Sequence, residues 1–305
     1  MRNIGFLFPG QASQYVGMAK DLFEQFPVAR EYFEKADAIM GYNLHKIVFS
    51  GPEEKLRQTN ITQPAVFVHS AILTELLKER GIIPSIAAGH SLGEYSAVVC
   101  SEALSFEDGL RLVKLRGELM HKADVKSPGT MAAIIGLDRE TVEKICNEVN
   151  SNEVLMLANY NSPKQFVISG SIRGVEAGMN LASEYGAKRV VKLNVGGAFH
   201  SSLMEYAKKG LSEAIDNCKF NEPRIPVVSN FTAKPCKNAN EIKNNLKKQL
   251  LNPVKWEDSM RIMISDGVNY FLEVGPKRVL QGLMKQIDRN IEIYGVDKKE
   301  DLNKI

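Results

Sequence analysis

The chain carries only four cysteines, Cys100, Cys146, Cys218 and Cys236, widely scattered and never spaced as CxxC. That spacing excludes a zinc ribbon or a dense disulfide frame and reads as reduced thiols. No apolar run reaches the length of a membrane span, and the opening MRNIGFLFPG lacks the long apolar core and cleavage site of a secretory signal. The expectation is a cytoplasmic protein with no membrane partner. Charge of either sign is in small excess, +3 over 305 residues, and no basic run is interleaved with aromatics, which argues against nucleic acid. Metal and nucleotide motifs are missing, so no bound cofactor or metal is expected. Internal repeats and low-complexity tracts are also lacking. What remains is the composition of an ordinary globular enzyme, 44% hydrophobic and 25% charged, long enough for one large domain or a large and a small one.

The most informative segment is Ile83 to Ala97. An apolar run breaks at Gly89-His90-Ser91-Leu92-Gly93 and resumes as a helix-forming stretch. This is the pattern of a nucleophile elbow, in which a sharp strand-to-helix turn exposes a serine and leaves no room for side chains two residues to either side. Ser91 is the candidate nucleophile. At a helix N-terminus the first N–H groups are unpaired, so the Leu92 N–H can stabilise the oxyanion of a tetrahedral intermediate.

Along the chain, Ile4 to Phe8 reads as a strand ending in Pro9-Gly10-Gln11, with mostly helical patterning from Met18 to Arg80. Ser105 with an acid at Asp108 predicts a capped helix through Met120. After Ser127-Pro128-Gly129 the rhythm changes to strand 131–136, helix 140–149, strands 154–158 and 166–169, helix 175–185 and strand 189–195. That β-α-β-β-α-β order predicts a ferredoxin-like subdomain over residues 127–196. It interrupts a large α/β-hydrolase-like domain, residues 1–126 plus 197–305, with a mostly parallel sheet. Helices near 203–218 and 242–251, strands at 225–229 and 269–274, and a terminal helix from Arg278 complete the expectation.

A serine nucleophile needs a base. His45, His69 and His121 lie in helical patterning, and His90 precedes Ser91, where its side chain should diverge from the serine's. His200 sits in the glycine-rich stretch Val195 to Phe199 at the exit of the small subdomain, a place where loops commonly carry catalytic groups. On spacing alone His200 leads the five without excluding the others. No acid stands out as the third member of a Ser-His-Asp triad.

Seven segments together resemble the malonyl-CoA:acyl carrier protein transacylases of bacterial fatty acid synthesis, over nearly the whole chain. They are Phe8 to Gln14, Gly89 to Glu94, Lys114 to Gly117, Ala158 to Pro163, Gly197 to Ser201, Leu251 to Trp256 and Glu273 to Pro276. The resemblance implies that Ser91 is acylated by malonyl-CoA while His200 accepts its proton. The phosphopantetheine thiol of holo acyl carrier protein then attacks, giving ping-pong kinetics. It implies an oxyanion hole from the Gln11 and Leu92 N–H groups. It orients the histidine with a main-chain carbonyl near Gln249 rather than a carboxylate, helped by an asparagine, which carries over to Asn161.

Arg116 resembles the family's carboxylate-binding arginine, and a guanidinium can clasp a malonyl carboxylate with two parallel hydrogen bonds. Read without the family, Arg116 is a helix arginine facing Glu118 or solvent. Phe199 matches the malonyl-type pattern and is placed with Asn161 among substrate-binding residues, disfavouring a methyl branch. Lys188, Arg189, Lys192, Lys277, Arg278 and Lys285 are candidates for a basic rim facing an acidic carrier protein. The family also implies a monomer. The competing readings are a discrete polyketide-type acyltransferase, which would share every site residue, and a serine acyl hydrolase, which would have no use for Arg116.

Overall fold

The computed structural model describes residues 3–305 and contains two sheets. The first is six-stranded. Its strands are β1 (Ile4–Phe8), β2 (Ile86–Gly89), β7 (Val227–Val228), β8 (Pro235–Cys236), β9 (Tyr270–Val274) and β10 (Glu292–Val296), in the order β10-β9-β1-β2-β7-β8. Every pairing is parallel except β7 with β8. The central strands β1, β2 and β9 are buried on both faces, as a parallel sheet covered by helices requires.

The second sheet is antiparallel throughout and formed by β3 (Gly129–Ile135), β4 (Leu155–Ser162), β5 (Gln165–Ser171) and β6 (Arg189–Lys192), ordered β4-β5-β3-β6. Helices Arg139–Val149 and Ile172–Glu184 bury their apolar sides against one face, in a core including Ile134, Ile145, Phe166 and Ile168. Other residues of the same sheet, Met131, Ala133, Ala158 and Val167, join the main core. The second sheet is also tied to the segment leading into helix Trp256–Ser265 by main-chain hydrogen bonds, Tyr160 N–H to the Val254 carbonyl at 2.9 Å and Val254 N–H to the Ala158 carbonyl at 2.8 Å.

The helical stretch before β2 consists of five helices, the last and longest being Thr59–Glu79. Ser105 caps the helix Phe106–Lys126 by accepting the Asp108 N–H at 3.1 Å. Several expectations differ from the structure, among them the strand expected over 154–158, which runs on to Ser162. The strand expected over 189–195 stops at Lys192, and that over 225–229 keeps only Val227–Val228. The helix after Arg278 is not terminal: Val279–Ile287 is followed by β10, whose alternation of exposed Glu292 and Tyr294 with more buried Ile293 and Gly295 is that of an edge strand. Helix Trp256–Ser265 was not anticipated. Among the described residues no helix is long and apolar enough to cross a membrane, and no cluster of side chains is arranged to hold a metal ion.

What matters for function is the register of β1 and β2. Phe8 pairs with Gly89, so the turns leaving both strands lie side by side at their carboxyl ends, where open α/β sheets place their ligands. The His90 N–H donates to the Phe8 carbonyl at 2.9 Å, fixing one turn against the other.

Candidate active site

Ser91 stands two residues past the end of β2 and adopts φ 52°, a left-handed conformation that costs a residue with a side chain roughly 1–3 kcal/mol. The surrounding chain enforces it. A Cβ on Gly89 would lie 1.9 Å from the Gly93 carbonyl carbon, and one on Gly93 would lie 2.1 Å from the Phe8 carbonyl oxygen. Both positions therefore require glycine, because the turn brings three backbone segments into contact. The helix Gly93–Cys100 starts at once behind the serine.

A second device holds the elbow. Asn230, fully buried, accepts the Ser91 N–H through Oδ1 at 2.7 Å and donates Nδ2 to the Gly89 carbonyl at 2.7 Å. One side-chain amide thus clamps both limbs of the turn.

His200 arrives from the loop after β6, at φ 58°, with its Nε2 2.8 Å from Ser91 Oγ. Its Nδ1 lies 3.0 Å from the Gln249 carbonyl and 3.1 Å from the Asn252 carbonyl. Carbonyls only accept, so Nδ1 carries the proton and Nε2 presents its lone pair to the serine hydroxyl. Burial, and after it the Arg116 cation, push the His200 pKa down to about 3. The other histidines are occupied elsewhere. His45 pairs with Asp37, buried His69 bonds the Asp297 carbonyl at 2.8 Å, His121 is exposed, and His90 turns away from Ser91.

Asn161 does not reach His200. Its Oδ1 is 2.8 Å from His90 Nε2, and the place expected for a histidine-orienting asparagine is taken by the main-chain carbonyl of Asn252. The reason is geometric: Asn161 lies on β4 beside the elbow's outer limb, whereas Asn252 follows the helix Ala239–Gln249 that carries the other carbonyl.

Arg116 is 1% exposed, a buried cation on the helix Phe106–Lys126. Its Nη1 donates to Gln63 Oε1 at 2.7 Å, and its Nη2 to Gln249 Oε1 at 3.1 Å and to Ser91 Oγ at 3.0 Å. The Tyr95 ring lies 5.6 Å from the guanidinium carbon. Among the described residues it forms no salt bridge with a carboxylate, and its Nε has no partner. Burying a guanidinium with neutral partners is costly unless an anion arrives to complete it. The reading of Arg116 as a solvent-facing helix arginine is thereby corrected.

Gln11 and Leu92 both line the same cavity, and among the described residues neither main-chain N–H meets a protein acceptor. The cavity, about 120 Å³, is walled by Met120, Met131, Leu193, Val195 and Phe199, and Ser91, His200 and Arg116 face into it. A wider opening of about 280 Å³ adjoins it past Gln11 and Leu193, with Arg57 and Lys277 on its rim.

Sequence reasoning did not find Gln63 or Asn230, and it quoted Glu94 and Asn252 only as parts of motifs. Glu94 is 2% exposed beneath the elbow, and burial lifts its carboxyl to about 7 against the opposing pull of Gln249, Asn230 and Arg116. For Gln63 a signal existed. It is an amide just before the apolar stretch Ala65 to Val68, on a helix buried nearly all round, where a polar group must have a partner.

Comparison with known proteins gives concordant findings. Residues 5–299 match the acyl transferase domain family. The chain is similar to the malonyl CoA-acyl carrier protein transacylase of Bacillus subtilis, 43% identical over 303 residues, covering 99% of this chain and 96% of the relative. Among solved structures it resembles the malonyl CoA-acyl carrier protein transacylase from Coxiella burnetii, with TM-score 0.96, 37% identity and coverage of 99% of this chain and 96% of that one. It also resembles a chain in the complex of a type II PKS acyl-carrier protein with its malonyl-transacylase, with TM-score 0.96, 39% identity and coverage of 99% and 98%.

Proposed function

The chain belongs to the acyl transferase domain family, among the malonyl CoA-acyl carrier protein transacylases, and from that premise we propose that it moves a malonyl group from malonyl-CoA to the phosphopantetheine thiol of acyl carrier protein through a malonyl-Ser91 intermediate, supplying fatty acid elongation. The observation that carries this reading is the position of Arg116. Its guanidinium is within hydrogen-bond reach of the nucleophile itself, so the carboxylate it clasps must lie one or two carbons from the acyl carbonyl, as in malonyl.

In the first half-reaction Ser91 Oγ attacks the thioester carbonyl while its proton passes to His200 Nε2. The oxyanion that forms is received by the Leu92 N–H at the N-terminus of the elbow helix and by the Gln11 N–H from the turn after β1. Collapse breaks the C–S bond, and His200 returns the proton to the leaving coenzyme A thiol. The carrier's thiol then repeats the sequence on the acyl-serine, with the proton moving first to His200 and finally to Ser91. The apolar walls of the cavity keep water from the acyl-serine, which favours transfer over hydrolysis.

Arg116 also links binding to basicity. Its cation disfavours protonation of His200, and a bound malonyl carboxylate neutralises that effect, so the base strengthens when the right substrate is seated. In the free enzyme the depressed pKa keeps His200 neutral as pH falls through the usual histidine range. The rate constant kcat/KM for loading, which reports the free enzyme, is therefore expected to change less than about twofold between pH 7.5 and 5.5. A histidine of ordinary pKa, near 6.5, would lose about tenfold over that range. Stopped-time loading assays at the two pH values distinguish these outcomes.

The finer assignments follow from this reading. We take residues 127–196 as a ferredoxin-like unit set into an α/β-hydrolase-like domain; numbered within that unit, its strand order of 2-3-1-4, all antiparallel, supports this. Nucleophile, base and guanidinium come from one chain, which supports a monomer as the active unit. Lys277, on the rim of the opening, is our candidate for contact with an acidic carrier. Four free cysteines fit a reducing compartment such as the cytoplasm.

The test is transfer itself. Incubated with malonyl-CoA and holo acyl carrier protein, the enzyme is expected to give malonyl-carrier, with parallel lines in double-reciprocal plots as either substrate is varied. Release of free malonate with no carrier product would make it a hydrolase instead.

A further inference from the structure

Beneath the nucleophile lies a buried carboxylate that takes no part in the chemistry above. Glu94 Oε2 accepts Gln249 Nε2 at 2.7 Å and the Asn230 N–H at 3.2 Å. Gln249 Nε2 also donates to the Ser91 carbonyl at 2.8 Å, while its Oε1 accepts Arg116 Nη2 at 3.1 Å. The Gln249 side chain is thus a relay, 1% exposed, whose donor end faces Glu94 and whose acceptor end faces Arg116.

A primary amide fits its pocket almost equally well either way round, so the partners at its two ends decide its orientation. Reversed, it would point Nε2 at the guanidinium, setting donor against donor, and Arg116 would lose one of its two amide partners. Glu94 opposes this together with the Ser91 carbonyl, and its Oε2, the shorter of the two contacts, accepts whether or not the carboxyl is protonated.

We propose that Glu94 is a positioning residue for acyl-group selectivity: by holding the Gln249 amide in one orientation it keeps the Arg116 guanidinium over Ser91, where a malonyl carboxylate must be met. This rests on the reading that Arg116 binds that carboxylate. It assigns the selectivity to hydrogen-bond acceptance rather than to negative charge. A glutamine at position 94 can put its carbonyl oxygen where Oε2 lies and turn its NH2 towards Ser229, whose side chain neighbours the Glu94 carboxyl. A leucine offers similar bulk and no acceptor.

The experiment compares loading of Ser91 from malonyl-CoA and from acetyl-CoA, read as the ratio of the two initial rates by intact mass, in the wild type, Glu94→Leu and Glu94→Gln. The leucine variant is expected to lose tenfold or more of the malonyl-to-acetyl ratio, through the malonyl rate more than the acetyl rate. Glu94→Gln is expected to restore the ratio to within about twofold of the wild type. A folded leucine variant with an unchanged ratio overturns the proposal, as does a glutamine variant that falls as far as the leucine one, since charge would then be the cause. Should Glu94→Leu fail to fold, Gln249→Leu replaces it, because it removes the relay. The same tenfold loss is then required, and an unchanged ratio is fatal. A wild type that does not prefer malonyl would instead sink the functional reading on which the proposal stands.

Discussion

Ser91→Ala is expected to bind malonyl-CoA, form no acyl-enzyme and lose turnover by about 10⁴-fold or more, the scale seen when a covalent nucleophile is removed while the rest of a site stands. The size follows from the geometry. His200 Nε2 and Arg116 Nη2 both converge on this one oxygen, at 2.8 and 3.0 Å, and among the described residues no other hydroxyl shares those contacts. The residual rate would come from the unaltered oxyanion donors and the substrate pocket acting on the carrier thiol directly. Steady-state transfer measured beside thermal denaturation separates loss of chemistry from loss of fold. A variant that kept more than about a tenth of the wild-type rate would mean that thiol attacks thioester directly, with Ser91 a bystander.

Arg116→Ala is expected to lower kcat/KM for malonyl-CoA by roughly 10²- to 10⁴-fold. Each hydrogen bond to a charged group contributes about 1.5–3 kcal/mol, and a guanidinium offers a carboxylate two. Acetyl-CoA carries no carboxylate, so its slow loading should fall little or rise, and the preference should collapse. Arg116→Lys is expected to recover only part of the loss, because an ammonium is a point donor that cannot serve Gln63, Gln249 and a carboxylate in one plane. Loading rates with both thioesters check this. A malonyl rate unchanged in Arg116→Ala would show that the buried cation serves structure alone.

The elbow was the most legible part of the site, because its constraint is local. Gly89 and Gly93 are required by contacts within a few residues of Ser91 and with the end of β1, and such a demand leaves a pattern in sequence. His200 was legible only as a histidine in a glycine-rich loop, since its partner lies 109 residues away. Arg116 would have passed for an ordinary helix residue but for its resemblance to a known family. The supports of these groups were far less legible: Gln63 left only the trace of an amide on a buried apolar helix, and Asn230 left none. Gln63 meets Arg116 across 53 positions and Asn230 meets Ser91 across 139, each a single polar residue whose role exists only once distant elements pack. The transfer of a histidine-orienting role to Asn161 failed for the same reason, since the group that the fold supplies is a main-chain carbonyl, at Asn252, and a carbonyl has no residue type to read. Among the elements, strands buried on both faces such as Ile4–Phe8 stood out as apolar runs. The edge strand Glu292–Val296, half exposed, did not.

The most direct test of the central claim is the intact mass of the protein after brief incubation with malonyl-CoA, followed by addition of holo acyl carrier protein. The account predicts a single malonyl adduct that is absent in Ser91→Ala and disappears from the enzyme as the same mass appears on the carrier. An adduct that survives Ser91→Ala, or one that decays to free malonate while the carrier stays unmodified, would contradict it.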